Sequence, residues 1–476
     1  MSLNISPIRS DVVVVGAGFA GLQAAVDVQK SGLSCVLLEA TGRVGGKSLT
    51  HKLSSMDGTV ELGPTWMNHK TQPRMLALAH KYGLELYEQV QGDLQVLQDV
   101  NGTLHHHKQG EFPESMDPKV VEALERIVAM METEAAKFHP DKLGTWIDPK
   151  QPPNIPDISF EEFLRRNEVT GIAYGLMRWF STGLFGVEPR EIGMHYVLDM
   201  LRQGHGWTSI STDDENGAQF IKFKRGTTAL CEAMANDLTP GSVVLDAPVV
   251  DISQYNDSCI IKVKDGRIFS CEKMILTNPA YTYTGISFNP PLPPIKRELA
   301  IKTRRGRYSK TVLTYRTGWW KDAGLLGIFV SFTNGPIGFT WDISRPEKGQ
   351  YSLACFVCGD WYNDHFDKSP LEREQALLAH LAEMVPESKK SLVYDVAEYS
   401  EKDWYTPKYI EGAPMGVIGP GDWARLAPAL RQTFRGVHFA GTDTASYWKG
   451  YMEGAVESGS RSACEVISLL KPRSRI

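Results

Sequence analysis

Asp11-Val12-Val13-Val14-Val15-Gly16-Ala17-Gly18-Phe19-Ala20-Gly21 turns a run of β-branched residues directly into a helical pattern. A short, unbroken valine run is the signature of a strand covered on both faces. The three glycines that follow have separate tasks. Gly16 allows a tight turn, Gly18 lets the backbone approach a pyrophosphate, and Gly21 lets helix and strand pack closely. The helix start then offers unpaired N–H groups and a positive dipole end, with Ala20 in its first turn. A second apolar run, Cys35-Val36-Leu37-Leu38, ends in Glu39, 18 residues past Gly21. That is close to the ~20 at which a carboxylate takes ribose hydroxyls. No basic residue adjoins Glu39, which disfavours a 2′-phosphate. Ala40 and Arg43-Val44-Gly45-Gly46 follow at once. A glycine turn alone is a weak signal. Here strand, helix, second strand and acidic tip are in register, so the βαβ unit is read as a dinucleotide site, with NAD and FAD not yet separated.

The bulk properties narrow the class. A chain of 476 residues is long enough for about three units of ~150 residues. The net charge of −5 and the lack of a basic cluster interleaved with aromatics argue against nucleic acid as a partner. Seven cysteines are scattered without framework spacing, which suits a reducing compartment. The close pair Cys355-Phe356-Val357-Cys358 lies in a strand-like run and reads as core. His105-His106-His107 sits between Gly102 and Gly110. Three consecutive histidines cannot all face one metal, so a solvated turn is expected and no metal site is assigned. No signal-peptide pattern and no apolar stretch of ~18 residues is visible, so no membrane anchor is expected and the cytoplasm is the default address. The terminal Ser474-Arg475-Ile476 is a loose variant of the Ser-Lys-Leu peroxisomal address, set against the reading of a frayed basic tail.

Along the chain, a helix is expected near Pro73–Tyr82, a long one over 117–138 and a largely helical, aromatic-rich region over 159–205. Short alternating strands follow at 242–276, then a strand-rich stretch over 308–360, a helix over 369–385 and a last strand at 436–441. No repeat interrupts this alternation, which implies two interleaved domains made from non-contiguous segments.

The C-terminal stretch Gly441-Thr442-Asp443-Thr444-Ala445-Ser446-Tyr447-Trp448-Lys449-Gly450-Tyr451-Met452-Glu453-Gly454-Ala455 resembles the flavin motif of the flavin-containing monoamine oxidases. Gly45-Gly46, Asn289-Pro290-Pro291-Leu292-Pro293 and Ser309-Lys310-Thr311 with Trp319-Trp320 resemble that family in order and spacing, so the likeness spans the chain. Its sister families, which act on polyamines, L-amino acids and cyclic amines, share most of these motifs. The resemblance therefore speaks to cofactor more than substrate. It implies an α/β fold, with a Rossmann-like, glutathione-reductase-like FAD-binding domain (1–70, 215–285 and 400–476) interleaved with an α+β substrate domain (71–214 and 286–399) carrying a mixed sheet and helices.

Carried over residue by residue, Gly16, Gly18 and Gly21 match the pyrophosphate turn and Glu39 the ribose ligand. Arg43, Gly46 and Lys47 match the stretch under the pyrophosphate and ribityl chain. Gly63, Pro64 and Thr65 match the turn near the flavin ring, where Pro64 replaces a glycine and removes its N–H. Val250 matches the residue whose backbone grips the adenine. Gly441 and Asp443 fall in the C-terminal loop, Asp443 where the family usually has Glu. Met452 opens a helix whose positive end would face the flavin and stabilise negative charge there. Lys310 and Tyr451 are the expected catalytic residues: a lysine beside flavin N5 that assists oxygen reduction, and one ring of a two-ring amine cage. The other ring position is Met415, so Trp66, Trp341 or Tyr447 is expected to complete the cavity. Covalent members carry cysteine where this chain has Pro414, so FAD is expected to be non-covalent, as in fungal and bacterial members.

The resemblance thus implies that hydride leaves the carbon next to nitrogen of a neutral amine, giving an imine, and that oxygen becomes hydrogen peroxide. Two alternatives stand beside it: a biosynthetic oxidase of a bulky amide or alkaloid nitrogen, and a non-catalytic flavin-binding scaffold. A homodimer is compatible with the sequence.

Overall fold

The valine run forms strand β1 (Val12–Val15), buried along its whole length, and helix α1 (Phe19–Lys30) begins directly after the glycine turn. The computed structural model describes residues 7–255 and 258–471, so Ser474-Arg475-Ile476 lies outside the described residues. β1 is the central strand of a five-stranded parallel sheet. On one side it pairs with β2 (Cys35–Leu38), which pairs in turn with Val243–Val244. On the other side come Lys273–Leu276 and Val437–Phe439. Parallel sheets are buried on both faces. Here the C-terminal helix α2 (Met452–Leu470) packs along α1, and Val12, Val14, Leu22, Val28, Leu37, Ile275 and Val466 form one core. A second sheet places Val249–Gln254 between Cys259–Val263 and Ser287–Asn289. Ile8–Arg9 supplies its edge strand beside Ile268–Cys271.

The rest of the chain is organised by a seven-stranded sheet. Its order is Glu398–Asp403, Tyr308–Tyr315, Tyr351–Cys358, Phe339–Asp342, Leu325–Ser331, Leu94–Gln98 and Leu104–Lys108. Side chains alternate across it. Leu313, Tyr315, Leu353 and Cys355 face a core with Trp319, Trp320 and Leu381. Val312, Ala354, Phe356 and Cys358 face the other way with Phe339 and Trp341. Cys355 and Cys358 thus lie on opposite faces, both buried, and burial pushes the Cys358 thiol up to about 12. They serve as small apolar residues.

Three expectations need correction. The histidine run is a strand, not a turn. His105 is buried between the Asp99 carboxylate (3.2 Å) and the Ser115 hydroxyl (2.8 Å), because antiparallel pairing with Leu97 turns its ring inward. The helix Pro73–Lys81, expected in the substrate part, packs into the dinucleotide core through Met75, Leu78 and Ala79. The strand Glu398–Asp403 crosses the expected boundary at 400 and forms the far edge of the seven-stranded sheet. Among the described residues no helix is long and apolar enough to cross a membrane.

Candidate active site

A single cavity of about 520 Å³ runs from the glycine turn to the inner face of the seven-stranded sheet. Its first third is built from backbone. Gly16 has φ +97°, a conformation L side chains rarely adopt. A Cβ on Gly21 would lie 1.8 Å from the Gly16 carbonyl oxygen, so only glycine lets α1 leave the strand at this angle. The start of α1, at Gly18, has no side-chain cap, which leaves its N–H groups free for an anion. Glu39 is buried at the tip of β2. It accepts from the Ala17 N–H (2.8 Å), the Thr41 N–H (2.9 Å) and the Thr41 hydroxyl (2.8 Å), and it lines the cavity with Ala40. Arg43 does not line it. Its guanidinium donates to the carbonyls of Val44, Gly46 and Ser48 (3.2, 2.6 and 2.7 Å) and so fixes the shape of the second glycine loop, which meets the first through the Gly45 N–H and the Ala17 carbonyl (2.8 Å). Val250 is also outside the lining: it is the extra residue of a bulge between Val249 and Asp251, and Ala247 and Val249 face the cavity instead.

The middle third is polar and buried. Lys47 donates to the Pro414 carbonyl (2.8 Å). Burial lowers its pKa, while the charge of Asp443 opposes that. Asp443 accepts from the Gly416 N–H (3.3 Å) with one carboxylate oxygen, and the other has no partner. Burial raises its pKa. Asn278 Oδ1 and the Tyr451 hydroxyl are likewise buried without partners, and all three residues line the cavity. Helix α2 starts here at Met452, with Tyr451 as an N-cap residue that provides no side-chain hydrogen bond.

The last third is built from rings. In the strand Tyr308–Tyr315, Lys310 stands directly opposite Phe356, which in turn stands opposite Phe339. Strand alternation therefore lays Tyr308, Lys310, Phe356, Phe339 and Trp341 on one wall. Trp66 lies 5.6 Å from Trp341, centroid to centroid. The Lys310 ammonium is 5.2 Å from the Trp66 ring and 5.3 Å from the Phe356 ring, within cation–π range. It donates to the Gly63 carbonyl (3.0 Å) and to the Thr65 hydroxyl. The turn Gly63-Pro64-Thr65 is thereby tied to the lysine despite the missing N–H at Pro64. Burial pulls the Lys310 pKa down to about 7, with the Glu61 carboxylate working against it. Glu61 is itself buried, accepts from Thr227 (2.7 Å) and Thr50, and has its pKa raised. Tyr451 and Met415 line the same end. Tyr447 does not; it stacks on His205, 6.2 Å away. Sequence reasoning passed over Phe339 and Phe356, which the alternation within their strands would have revealed. It also passed over Asp213 and Gln89. These accept from the indole N–H groups of Trp341 (3.1 Å) and Trp66 (3.0 Å) from behind the wall, and no local pattern announces them.

Two interlocked glycine loops, two uncapped helix starts and three partnerless buried polar atoms along one cavity fit a flavin dinucleotide. The ring-walled arm ending on a buried lysine then defines a flavin-dependent oxidoreductase. The chain belongs to the family of flavin-containing amine oxidoreductases, whose profile matches residues 19–467. It is an amine oxidase that uses FAD. Among its relatives, a putative flavin-containing monoamine oxidase of Mycobacterium tuberculosis is 30% identical over 98% of both chains. A probable flavin-containing monoamine oxidase A of Dictyostelium discoideum is 28% identical over 96% of this chain and 97% of its own length. Among solved structures, cyclohexylamine oxidase from Brevibacterium oxydans shares the fold at TM-score 0.88 and 24% identity, over 97% of this chain and 99% of that one. These relatives are named as oxidases of amines, which favours neither the amide-oxidase nor the scaffold alternative.

Proposed function

We propose that the chain binds FAD non-covalently along this cavity and oxidises a neutral amine held in the ring-walled arm. The observation that carries the reading is the position of Lys310, a buried cation within reach of the Trp66 and Phe356 rings in the same cavity that Tyr451 and Met452 line. FAD would supply the two-electron acceptor, taking hydride from the carbon next to nitrogen and delivering electrons to oxygen, with peroxide as product. Gly16, Gly18 and the start of α1 would take the pyrophosphate, and Glu39 the ribose. Lys47, Asn278 and Asp443 would meet the ribityl region, and Met452 at the start of α2 the ring. Pro414 lines the cavity where an attachment residue would stand, and none of the seven cysteines lines it, which supports the absence of a covalent link.

Tyr451, Met415, Trp66, Trp341, Phe356 and Phe339 would exclude water and orient the amine. Orientation of this kind is worth up to about 7–11 kcal/mol of barrier when two reactants are fully fixed. The amine must arrive neutral, because only its lone pair can drive hydride loss. Lys310 would hold positive charge where negative charge develops on oxygen. We propose the same division of labour for the two domains, with the seven-stranded sheet, including Glu398–Asp403, assigned to the substrate side and Pro73–Lys81 to the FAD side.

An anaerobic titration tests this. A panel of amines is added to purified yellow protein, and bleaching of the flavin is followed before air is readmitted. The expected result is bleaching by at least one amine, peroxide on reoxidation, and full release of colour on denaturation. No bleaching by any amine would remove the substrate assignment, and colour retained on the polypeptide would remove the non-covalent one.

A further inference from the structure

Beside Tyr196, which bonds the Met415–Gly416 segment, lies a fully buried ion pair that the chemistry above does not use. Lys449 Nζ is 2.6 Å from Asp199 Oδ2, and both side chains are 1% exposed. Asp199 belongs to the helix Met194–Gln203, whose residues 196, 199 and 203 share one face by their spacing. All three point to the arm's supports. The Tyr196 hydroxyl donates to the Gly416 carbonyl (2.7 Å), with the Met415 sulfur 3.5 Å away. The Gln203 side-chain amide donates to the second oxygen of Asp199 (2.7 Å), and the Gln203 backbone carbonyl accepts from the Trp448 backbone N–H (3.2 Å). The Lys449 ammonium also lies 5.1 Å from the Tyr196 ring.

We infer that the Asp199–Lys449 pair, with Tyr196, is a positioning device: one helix face holds the Met415 segment and the Tyr451 loop at a set separation across the substrate arm. This rests on the proposed reading that Met415 and Tyr451 flank the amine. Two further observations support it. The loop that carries Tyr451 holds Trp448 in a strained conformation, at φ +53°. A bulky residue rarely holds that conformation unless the surroundings over-determine it. The two walls also touch through this loop. A Cβ on Gly450 would fall 1.9 Å from the Met415 terminal methyl, so a small shift of the loop must move Met415. Buried ion pairs are poor sources of net stability compared with apolar replacements, and their best-attested use is to select one register. Lys449 does that here. Its ammonium has one anionic partner at bonding distance, so it draws the strained loop to one position, and the Trp448 ring stacks edge-on to Tyr451 at 4.9 Å.

The test replaces both charges together. Asp199→Leu with Lys449→Met leaves no unpaired buried charge, so the fold and FAD content are expected to survive. With the amine that bleaches the wild-type flavin fastest, KM is expected to rise about tenfold while kcat changes less than about twofold. In a Met415→Ala background, where one wall is gone, the same pair of substitutions is expected to move KM by less than about threefold. If the double variant does not fold, Tyr196→Phe is read in the same way, with an expected rise of about threefold in KM. An unchanged KM, an equal rise in both backgrounds, or a loss confined to FAD content would overturn the inference. Wild-type protein that oxidises no amine would instead overturn the substrate reading beneath it.

Discussion

At one end of the cavity the chain grips with backbone; at the other it surrounds with rings. The glycine-turn end offers N–H groups, a helix start and one carboxylate, Glu39. The lysine end offers Trp66, Trp341, Phe339 and Phe356 around a single ammonium. Backbone recognition demands a fixed path, so it tolerates almost no change of residue. Recognition by rings depends on where side chains are aimed, so its identity is set by neighbours behind the wall and can be retuned. The first end should therefore fail completely when altered, and the second should fail in graded, separable ways.

The largest effect is expected at Gly21. A Cβ there would sit 1.8 Å from the Gly16 carbonyl oxygen, so Gly21→Ala must displace α1 from the glycine turn, where the pyrophosphate is proposed to bind. The ratio of flavin to protein absorbance should fall to near zero, with FAD binding at least about 10³-fold weaker, or about 4 kcal/mol. Retention of full flavin would break the contrast at its rigid end. Next comes Lys310→Met. Stopped-flow measurements should show reoxidation by oxygen slowed about 10²-fold, the scale for losing a preorganised electrostatic partner. Reduction by amine should change only a few fold. The ammonium, with its pKa drawn down to about 7, is charged below that pH and neutral above it. The oxygen step in the wild type should therefore slow as pH rises through and beyond 7, and the profile of the Met variant should be flat there.

The same contrast governs what could be read from sequence. Gly16, Gly18, Gly21 and Glu39 were legible because their roles are local: a turn, a close approach and a carboxylate at a fixed distance along one βαβ unit. The ring-walled end was legible only in part. Lys310 and Tyr451 came through a resemblance, whereas Trp66, Trp341 and Tyr447 were equivalent candidates. A ring's identity does not say whether it faces a cavity or a core. Phe356 and Cys355 are neighbours on one strand, yet they face opposite sides of the sheet. Asp199, Asp213 and Gln89 act across more than a hundred residues of sequence on Lys449, on Trp341 and, for Gln89, on the Asp342 carbonyl. Nothing near them in the chain marks them. Arg43 is the converse case: it lies in the second glycine loop, and its guanidinium is turned to the carbonyls that shape that loop, which no local pattern announces.

A graded effect is expected from Asp213. Its carboxylate, buried and pushed up to about 6, accepts from the Trp341 indole, and Gln109 holds its other oxygen. Asp213→Ala frees the ring, and the loss of a hydrogen bond to a charged group, about 1.5–3 kcal/mol, should appear as a KM raised at least about tenfold with flavin content intact. In the wild type the acceptor is fully charged only above about pH 6, so KM should also climb as pH falls through that value. A KM that ignores both changes would mean that the ring is held by packing alone.

The smallest effect is expected at Tyr447, which supplies the control for this end. Its ring stacks on His205, outside the cavity lining, although it lies only four residues from Tyr451 and was as strong a candidate by sequence. Tyr447→Phe keeps that stacking and removes one hydroxyl. It should leave kcat/KM within about twofold of wild type, inside the ±0.5 kcal/mol scatter of substitutions away from special features. Tyr451→Phe removes a hydroxyl that is buried and partnerless, on a residue that lines the cavity. The two hydroxyls fall on opposite sides of the Trp448 turn, and only that of Tyr451 belongs to a residue of the cavity lining. If Tyr447→Phe disturbs turnover as much as Tyr451→Phe does, the ring-walled end extends past that turn, and aim would no longer explain which rings matter.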